Sequence, residues 1–221
     1  MDSFSRLTDS RTVQPSKPFL VRWAVLGLAL IWVAAFMAGQ VATGWDHRLL
    51  SALYAGHRPT VAQAAALLTD LGGGPFLLGL TALAAGGFWI LTRRLRPALT
   101  LLGATLAGRA FVEAQKWVLD RPRPAAEGHL VSVQSMSFPS GHAANATITY
   151  LAIALIAAPL LPSGRWRATA VGAALLLAAA IGVSRIMLGV HWPSDVYGGW
   201  AFGLAWTLAA FEISRRSQDR P

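Results

Sequence analysis

The sequence predicts an all-α polytopic membrane protein with six transmembrane helices in one bundle. Hydrophobic residues make up 54% of the chain and charged residues only 13%, whereas soluble domains carry about a quarter charged residues. The apolar residues fall in stretches close to the ~20 residues that a helix needs to cross the hydrocarbon core. Clusters of arginine, proline and glycine separate these stretches.

Residues 1–18 are polar and carry Arg6, Arg11 and Lys17. They are expected to form a cytoplasmic tail ahead of a retained helix rather than a cleaved signal peptide. Residues 19–41 give the first span. Residues 46–60 (Asp46, His47, Arg48, then His57, Arg58 and Pro59) are too polar and too few to cross, and suit a surface helix or loop. The second span is expected at 71–92, beginning in Gly72-Gly73-Gly74-Pro75, where glycine loosens a helix start; the lysine of a phosphate loop is missing there. Arg93, Arg94, Arg96 and Pro97 break the apolar run before a third span at 98–119, which carries Arg109, Glu113 and Lys116. A polar, proline-bearing loop at 120–139 leads to a fourth span at 141–161, a turn with Arg165 and Arg167, a fifth span at 168–187 and a sixth at 193–213. Residues 19–213 thus make one membrane domain, and 214–221 a second cytoplasmic tail.

Of the 19 Lys and Arg residues, Arg48, Arg58, Lys116, Arg121, Arg123 and Arg185 fall on one face and Arg109 within a span; the other twelve share the face of the termini. Positive charge is retained on the cytoplasmic side, so both termini are expected there. The net charge of +9 is accounted for by such loops and by anionic headgroups, and no Lys/Arg-rich run interleaved with aromatics points to nucleic acid. With no cysteine, thiolate metal sites and disulfides are excluded.

Three polar clusters meet on the face opposite the termini: Lys116 with Arg123-Pro124, Pro139-Ser140-Gly141-His142, and Ser184-Arg185 with His191 and Asp195. The alternation of spans brings the ends that carry them to one extracytoplasmic pocket. Three cations at a membrane face call for an anion. Arg123 and Arg185 offer planar forks for phosphoryl oxygens, and Lys116 a point charge. Ser140 suits the N-cap of the fourth helix and Gly141 allows close approach, so backbone N–H groups and the positive helix end would face the anion. Asp195, four residues after His191, can hold one imidazole nitrogen and leave the other free to attack phosphorus, while His142 can protonate the leaving oxygen and later activate water.

These residues resemble the type 2 phosphatidic acid phosphatase superfamily, whose members include undecaprenyl-diphosphate phosphatases and vanadium haloperoxidases. The resemblance rests on a lysine separated by six residues from Arg-Pro (Lys116, Arg123, Pro124), Pro-Ser-Gly-His at 139–142, and Ser-Arg, His and Asp at Ser184, Arg185, His191 and Asp195. It implies a metal-independent phosphatase without cofactor. His191 would be the nucleophile, His142 the acid and base, and Asp195 the orienter; Lys116, Arg123, Ser140, Gly141, His142 and Arg185 would hold the phosphate. The substrate implied is a lipid phosphate in the membrane, undecaprenyl diphosphate first, then phosphatidic acid and phosphatidylglycerophosphate. The same residues would serve a phosphotransferase, and a non-catalytic lipid-binding or transport protein is the rival of another class.

Plainer readings exist for each residue. Lys116 and Arg123 alone could snorkel at the interface, Ser140-Gly141 alone could be an ordinary cap, and His191 with Asp195 alone could be a structural pair. Arg109, Glu113 and Lys116, spaced by four and three, are expected to form a buried ion-pair ladder supporting Lys116. His129 is a loop histidine with no assigned role. Asp46, His47, His57 and Asp70 lack metal-ligand spacing. Trp45, Trp117 and Trp192 on one side, and Trp23, Trp89 and Trp166 on the other, are expected to anchor the interface.

Overall fold

The structure is a computed structural model that describes residues 17–41 and 43–217. The expected N-terminal tail, with Arg6 and Arg11, and the last residues of the C-terminal tail lie outside the described residues. Among those described there are eight α-helices, two single 3-10 turns and no strand. The α-helices are α1 (Lys17–Val41), α2 (Thr43–Leu53), α3 (Pro59–Asp70), α4 (Gly74–Thr92), α5 (Leu95–Leu119), α6 (Gly141–Ala157), α7 (Gly164–Met187) and α8 (Pro193–Arg216).

Four of these helices are long and apolar enough to cross a membrane: α1, α4, α6 with the 3-10 turn that follows it, and α7. The six expected spans are therefore matched on composition in four cases. α5 and α8 have the length, 25 and 24 residues, or about 36 Å of rise each. Their charges set them apart: α5 carries Arg96, Arg109, Glu113 and Lys116, and α8 carries Asp195, Glu212, Arg215 and Arg216.

Two expectations are corrected in the first half of the chain. Residues 46–60 do not lie on the surface throughout, because α2 turns Asp46 inward to 1% exposure. A separate helix, α3, precedes the glycine run; Pro59 opens it within the first turn, where a missing N–H costs nothing. At 12 residues it is too short to cross. The glycine run is the turn between two helices, and α4 starts three residues later than expected, with Gly73 at its N-cap. Pro97 likewise sits inside the first turn of α5 and does not stop it.

α6 is the central post, buried along most of its length and packed against α5, α7 and α8. α1 lies along α8, and α3 along α7. Small residues make the α6–α8 crossing close: a Cβ on Gly199 would stand 2.7 Å from the Ser140 carbonyl oxygen, and one on Gly203 would stand 2.9 Å from that of Ala144. Membrane helices gain packing contacts at such stripes because lipid offers no hydrophobic drive for their association. The crossing fixes the start of α6 against the start of α8, and thereby the second cluster against the third.

Candidate active site

A cavity of about 200 Å³ opens where α5 ends, α6 begins and α7 ends. Lys116, Arg123, Gly141, His142, Arg185 and His191 all line it, together with Arg109, Glu113 and Asn145. The two other residues singled out in the sequence, Ser140 and Asp195, are fully buried beside the cavity and do not line it.

Lys116 occupies the last turn of α5, where its Nζ donates to Ser135 Oγ at 2.8 Å. Arg123 pins the loop that follows: Nε donates to the Ser135 carbonyl at 2.7 Å and Nη1 to that of Val190 at 2.6 Å. Arg185 donates through Nη1 to Thr69 Oγ1 at 2.8 Å, while its buried Nε has no partner. A guanidinium only 4% exposed and met by one neutral hydroxyl is poorly compensated, so an anion in the cavity would relieve it.

The tautomer of His191 follows from its neighbours. Arg123 Nη1 lies 3.0 Å from His191 Nε2, and a guanidinium can only donate, so Nε2 carries a lone pair. The ring proton then sits on Nδ1, which faces Asp195 Oδ2 at 3.3 Å. Burial, reinforced by Arg123, Arg185, Lys116 and His142, holds His191 well below the usual histidine pKa. The ring is therefore neutral, with its lone pair toward the cations. The His142 ring lines the same cavity and makes no hydrogen bond among the described residues.

Behind His191 lies a network that the sequence did not disclose. Asp195 Oδ1 accepts from Arg121 Nη1 at 2.6 Å, and Oδ2 accepts from Ser137 Oγ at 2.5 Å and from the Trp192 backbone N–H at 2.9 Å. Arg121 extends its other nitrogen to Asp46 Oδ2 at 2.9 Å. Asp46 in turn accepts from the Ser194 backbone N–H at 2.8 Å and from its hydroxyl at 2.5 Å. Two buried carboxylates thus share one buried guanidinium, an arrangement that survives desolvation only because each oxygen is hydrogen-bonded. Arg121 was legible only as one more loop cation beside Arg123, and Asp46 only as an isolated acid on a polar stretch.

Ser140 departs from expectation. It occupies the N-cap of α6, but its side chain makes no capping bond and its buried Oγ has no partner. Its contribution is through the backbone, where the N–H donates to the Asp195 carbonyl at 2.9 Å and joins the second cluster to the third. The first α-bond of α6 runs from Ala144 N–H to Ser140 O, so the amides of Gly141, His142 and Ala143 have no acceptor within the helix. A Cβ on Gly141 would stand 3.3 Å from Lys116 Nζ, so the start of α6 lies close against the lysine tip.

The expected buried ladder on α5 is only partly formed. Glu113 lies 3.9 Å from Lys116 Nζ with its side chain 49% exposed, and among the described residues it has no ion pair with Arg109. His129 Nε2 lies 3.0 Å from the Pro124 carbonyl, a tie within the loop away from the cavity. His47 packs edge-on against Trp192, with ring centroids 4.7 Å apart. Trp23, Trp89, Trp117 and Trp166 are exposed on the helix surfaces.

Fold and site define a helical membrane protein with a cavity that Lys116, Arg123 and Arg185 line around His191. The chain belongs to the PAP2 superfamily, whose model matches residues 97–219. It is 31% identical over 176 residues to a phosphatidylglycerophosphatase B of Bacillus subtilis, covering 79% of this chain and 85% of that protein. It is 35% identical over 133 residues to a decaprenylphosphoryl-5-phosphoribose phosphatase of Mycobacterium tuberculosis, covering 59% of this chain and 68% of that one. The crystal structure of a transmembrane PAP2 type phosphatidylglycerolphosphate phosphatase from Bacillus subtilis superimposes with a TM-score of 0.82 at 26% identity, covering 88% of this chain and 97% of that one.

Proposed function

We propose that this chain is an integral membrane phosphatase that cleaves a lipid phosphomonoester through a phosphohistidine at His191. The observation that carries the reading is the His191 Nε2 lone pair, directed at Arg123 within a cavity that Lys116 and Arg185 also line. As phosphate enters, Arg123 exchanges Nε2 for a phosphoryl oxygen and releases the nucleophile. Nε2 attacks phosphorus, the bond to the lipid oxygen breaks, and His142 gives that oxygen a proton. Lys116, Arg123, Arg185 and the first-turn amides at Gly141 and His142 spread the developing charge. His142, now a base, takes a proton from water, which attacks the phosphohistidine and releases inorganic phosphate. Asp195 balances the positive charge on the imidazole ring.

Phosphatidylglycerophosphate is the substrate supported best, since the relatives that match most of the chain act on it by name. Undecaprenyl diphosphate, the first expectation from the motifs, has no counterpart among the relatives named above and yields its place. In this reading α5 and α8 also cross the membrane, making six spans in a single domain over residues 19–213. Their charged ends sit at the pocket or at the opposite interface, where they stay wet. The excess of Lys and Arg beside the termini supports a cytoplasmic location for both, with the pocket at the outer face of the cell membrane.

Phosphate release from phosphatidylglycerophosphate, phosphatidic acid and undecaprenyl diphosphate, measured in detergent with chelator present, tests the reading. Turnover of the first lipid by wild type, lost in His191→Ala and His142→Ala, is the expected result. Release from none of these lipids would overturn it, and activity abolished by chelator would overturn the metal-free mechanism.

A further inference from the structure

The cavity extends beyond the residues that surround His191. Arg109 lies seven residues before Lys116 on α5, which places it on the same helix face about 10 Å further along the axis. It lines the cavity with Gly74 and Asn145, and it also borders a small seam beneath, between α4, α5 and α6. Among the described residues, neither the Arg109 nor the Asn145 side chain makes a hydrogen bond or an ion pair. Asn145 is 8% exposed, and its Oδ1 is buried without a partner.

The guanidinium of Arg109 lies against the start of α4. A Cβ on Gly74 would stand 2.5 Å from Arg109 Nη2, so only glycine lets the side chain lie there. The first α-bond of α4 runs from Leu77 N–H to Gly73 O, and Pro75 has no N–H, so the Gly74 and Phe76 amides have no acceptor in the helix. A cation is thereby set against the positive end of a helix dipole, an arrangement that is repulsive until an anion sits between them. Glu113 does not serve as that anion, because its carboxylate is directed to Lys116 at 3.9 Å.

We propose that Arg109, Asn145 and the N-terminus of α4 form a second subsite of the same cavity, which takes a phosphodiester while the phosphomonoester occupies the pocket at His191. The Arg109 fork and the Gly74 amide meet the diester oxygens. The Asn145 carboxamide is both donor and acceptor, and its buried Oδ1 needs a hydroxyl. The ligand chemistry that satisfies all of these groups is a glycerol bridge bearing a phosphomonoester, a phosphodiester and a free hydroxyl. The inference rests on the proposed phosphatase reading and assigns these residues the choice of headgroup.

Binding tests this independently of turnover. The full-length His191→Ala protein in detergent, which cannot form the phosphohistidine, is titrated with deacylated phosphatidylglycerophosphate and with glycerol phosphate, which lacks the diester. The first probe is expected to bind about tenfold more tightly, the worth of one charge-assisted phosphate contact. Arg109→Gln should bring the two affinities to within about twofold of each other. Gly74→Ala, which keeps the charge but displaces the guanidinium, should do likewise, and glycerol phosphate binding retained by each variant reports an intact fold. Equal affinity of the two probes before substitution, a preference that survives in both variants, or loss of both probes together would each overturn the subsite. Failure of the lipid hydrolysis assay alone would count against the phosphatase reading and leave this result standing.

Discussion

Arg121 bridges two buried carboxylates, donating to Asp195 at 2.6 Å and to Asp46 at 2.9 Å. Asp195 is the residue that faces His191 Nδ1, so a salt bridge outside the cavity sets the position of the proposed nucleophile. Arg121→Ala leaves Asp46 and Asp195 facing each other with no cation between them, and breaking such a pair costs roughly 3–5 kcal/mol. A fall in kcat of about 10- to 100-fold is expected. KM should change far less, because Arg121 does not line the cavity. Arg121→Lys should recover little, since one ammonium does not bridge two carboxylates as a fork does. Steady-state kinetics on the purified variants checks this; a KM effect with kcat intact would place Arg121 in substrate binding instead.

His142 has two duties in the proposed cycle, and they separate with the leaving group. An aryl phosphate whose leaving oxygen needs no proton removes the first duty and keeps the second. His142→Ala is expected to phosphorylate itself readily from such a substrate, then stall, giving a burst of phenol and an accumulated phosphoprotein. Rapid-quench measurement of the burst decides this. Equal loss of both phases, with no accumulation, would remove the acid role from His142.

The His191 pKa lies well below the ordinary histidine value, held there by burial and by the surrounding cations. A depressed pKa means that the ring acquires its proton only at a pH below that value, so His191 stays neutral and nucleophilic where an exposed histidine is already charged. 15N spectra of histidine-labelled protein, assigned with His191→Ala, should show Nδ1 protonated and Nε2 bare at pH 6. Titration near 6.5 would contradict both the tautomer and the electrostatics.

The α6–α8 crossing couples packing to the site. Adding a methyl at Gly199 brings it against the Ser140 carbonyl and the Ala143 side chain. Gly199→Ala should therefore lower thermal stability by about 1–3 kcal/mol and reduce activity together with it, because the Ser140 to Asp195 backbone bond lies at that contact. Thermal unfolding in detergent paired with activity checks this; full activity at reduced stability would uncouple the two.

The three motifs were legible because each holds its polar side chains at fixed spacing, and the structure brings six of their residues to one cavity. The supporting network was not legible. Asp46 lies 75 residues before Arg121, and nothing local indicates that an acid on a short polar helix will turn inward. The ends of α1, α4 and α7 and the start of α6 were readable from glycine, proline and arginine breaks. α3 was not, because 12 residues of mixed alanine, leucine and threonine hold neither a span's length nor a strong polar pattern. The buried ladder failed for a geometric reason: positions 109, 113 and 116 share a helix face, but Arg109 turns to the α4 N-terminus while Glu113 faces outward beside Lys116.

The covalent step at His191 is tested most directly by trapping labelled phosphate on the protein during turnover of phosphatidylglycerophosphate. Acid-labile, base-stable label on wild type, absent from His191→Ala and increased in His142→Ala supplied with an activated phosphate, is the predicted result. Label that persists undiminished in His191→Ala would contradict the account.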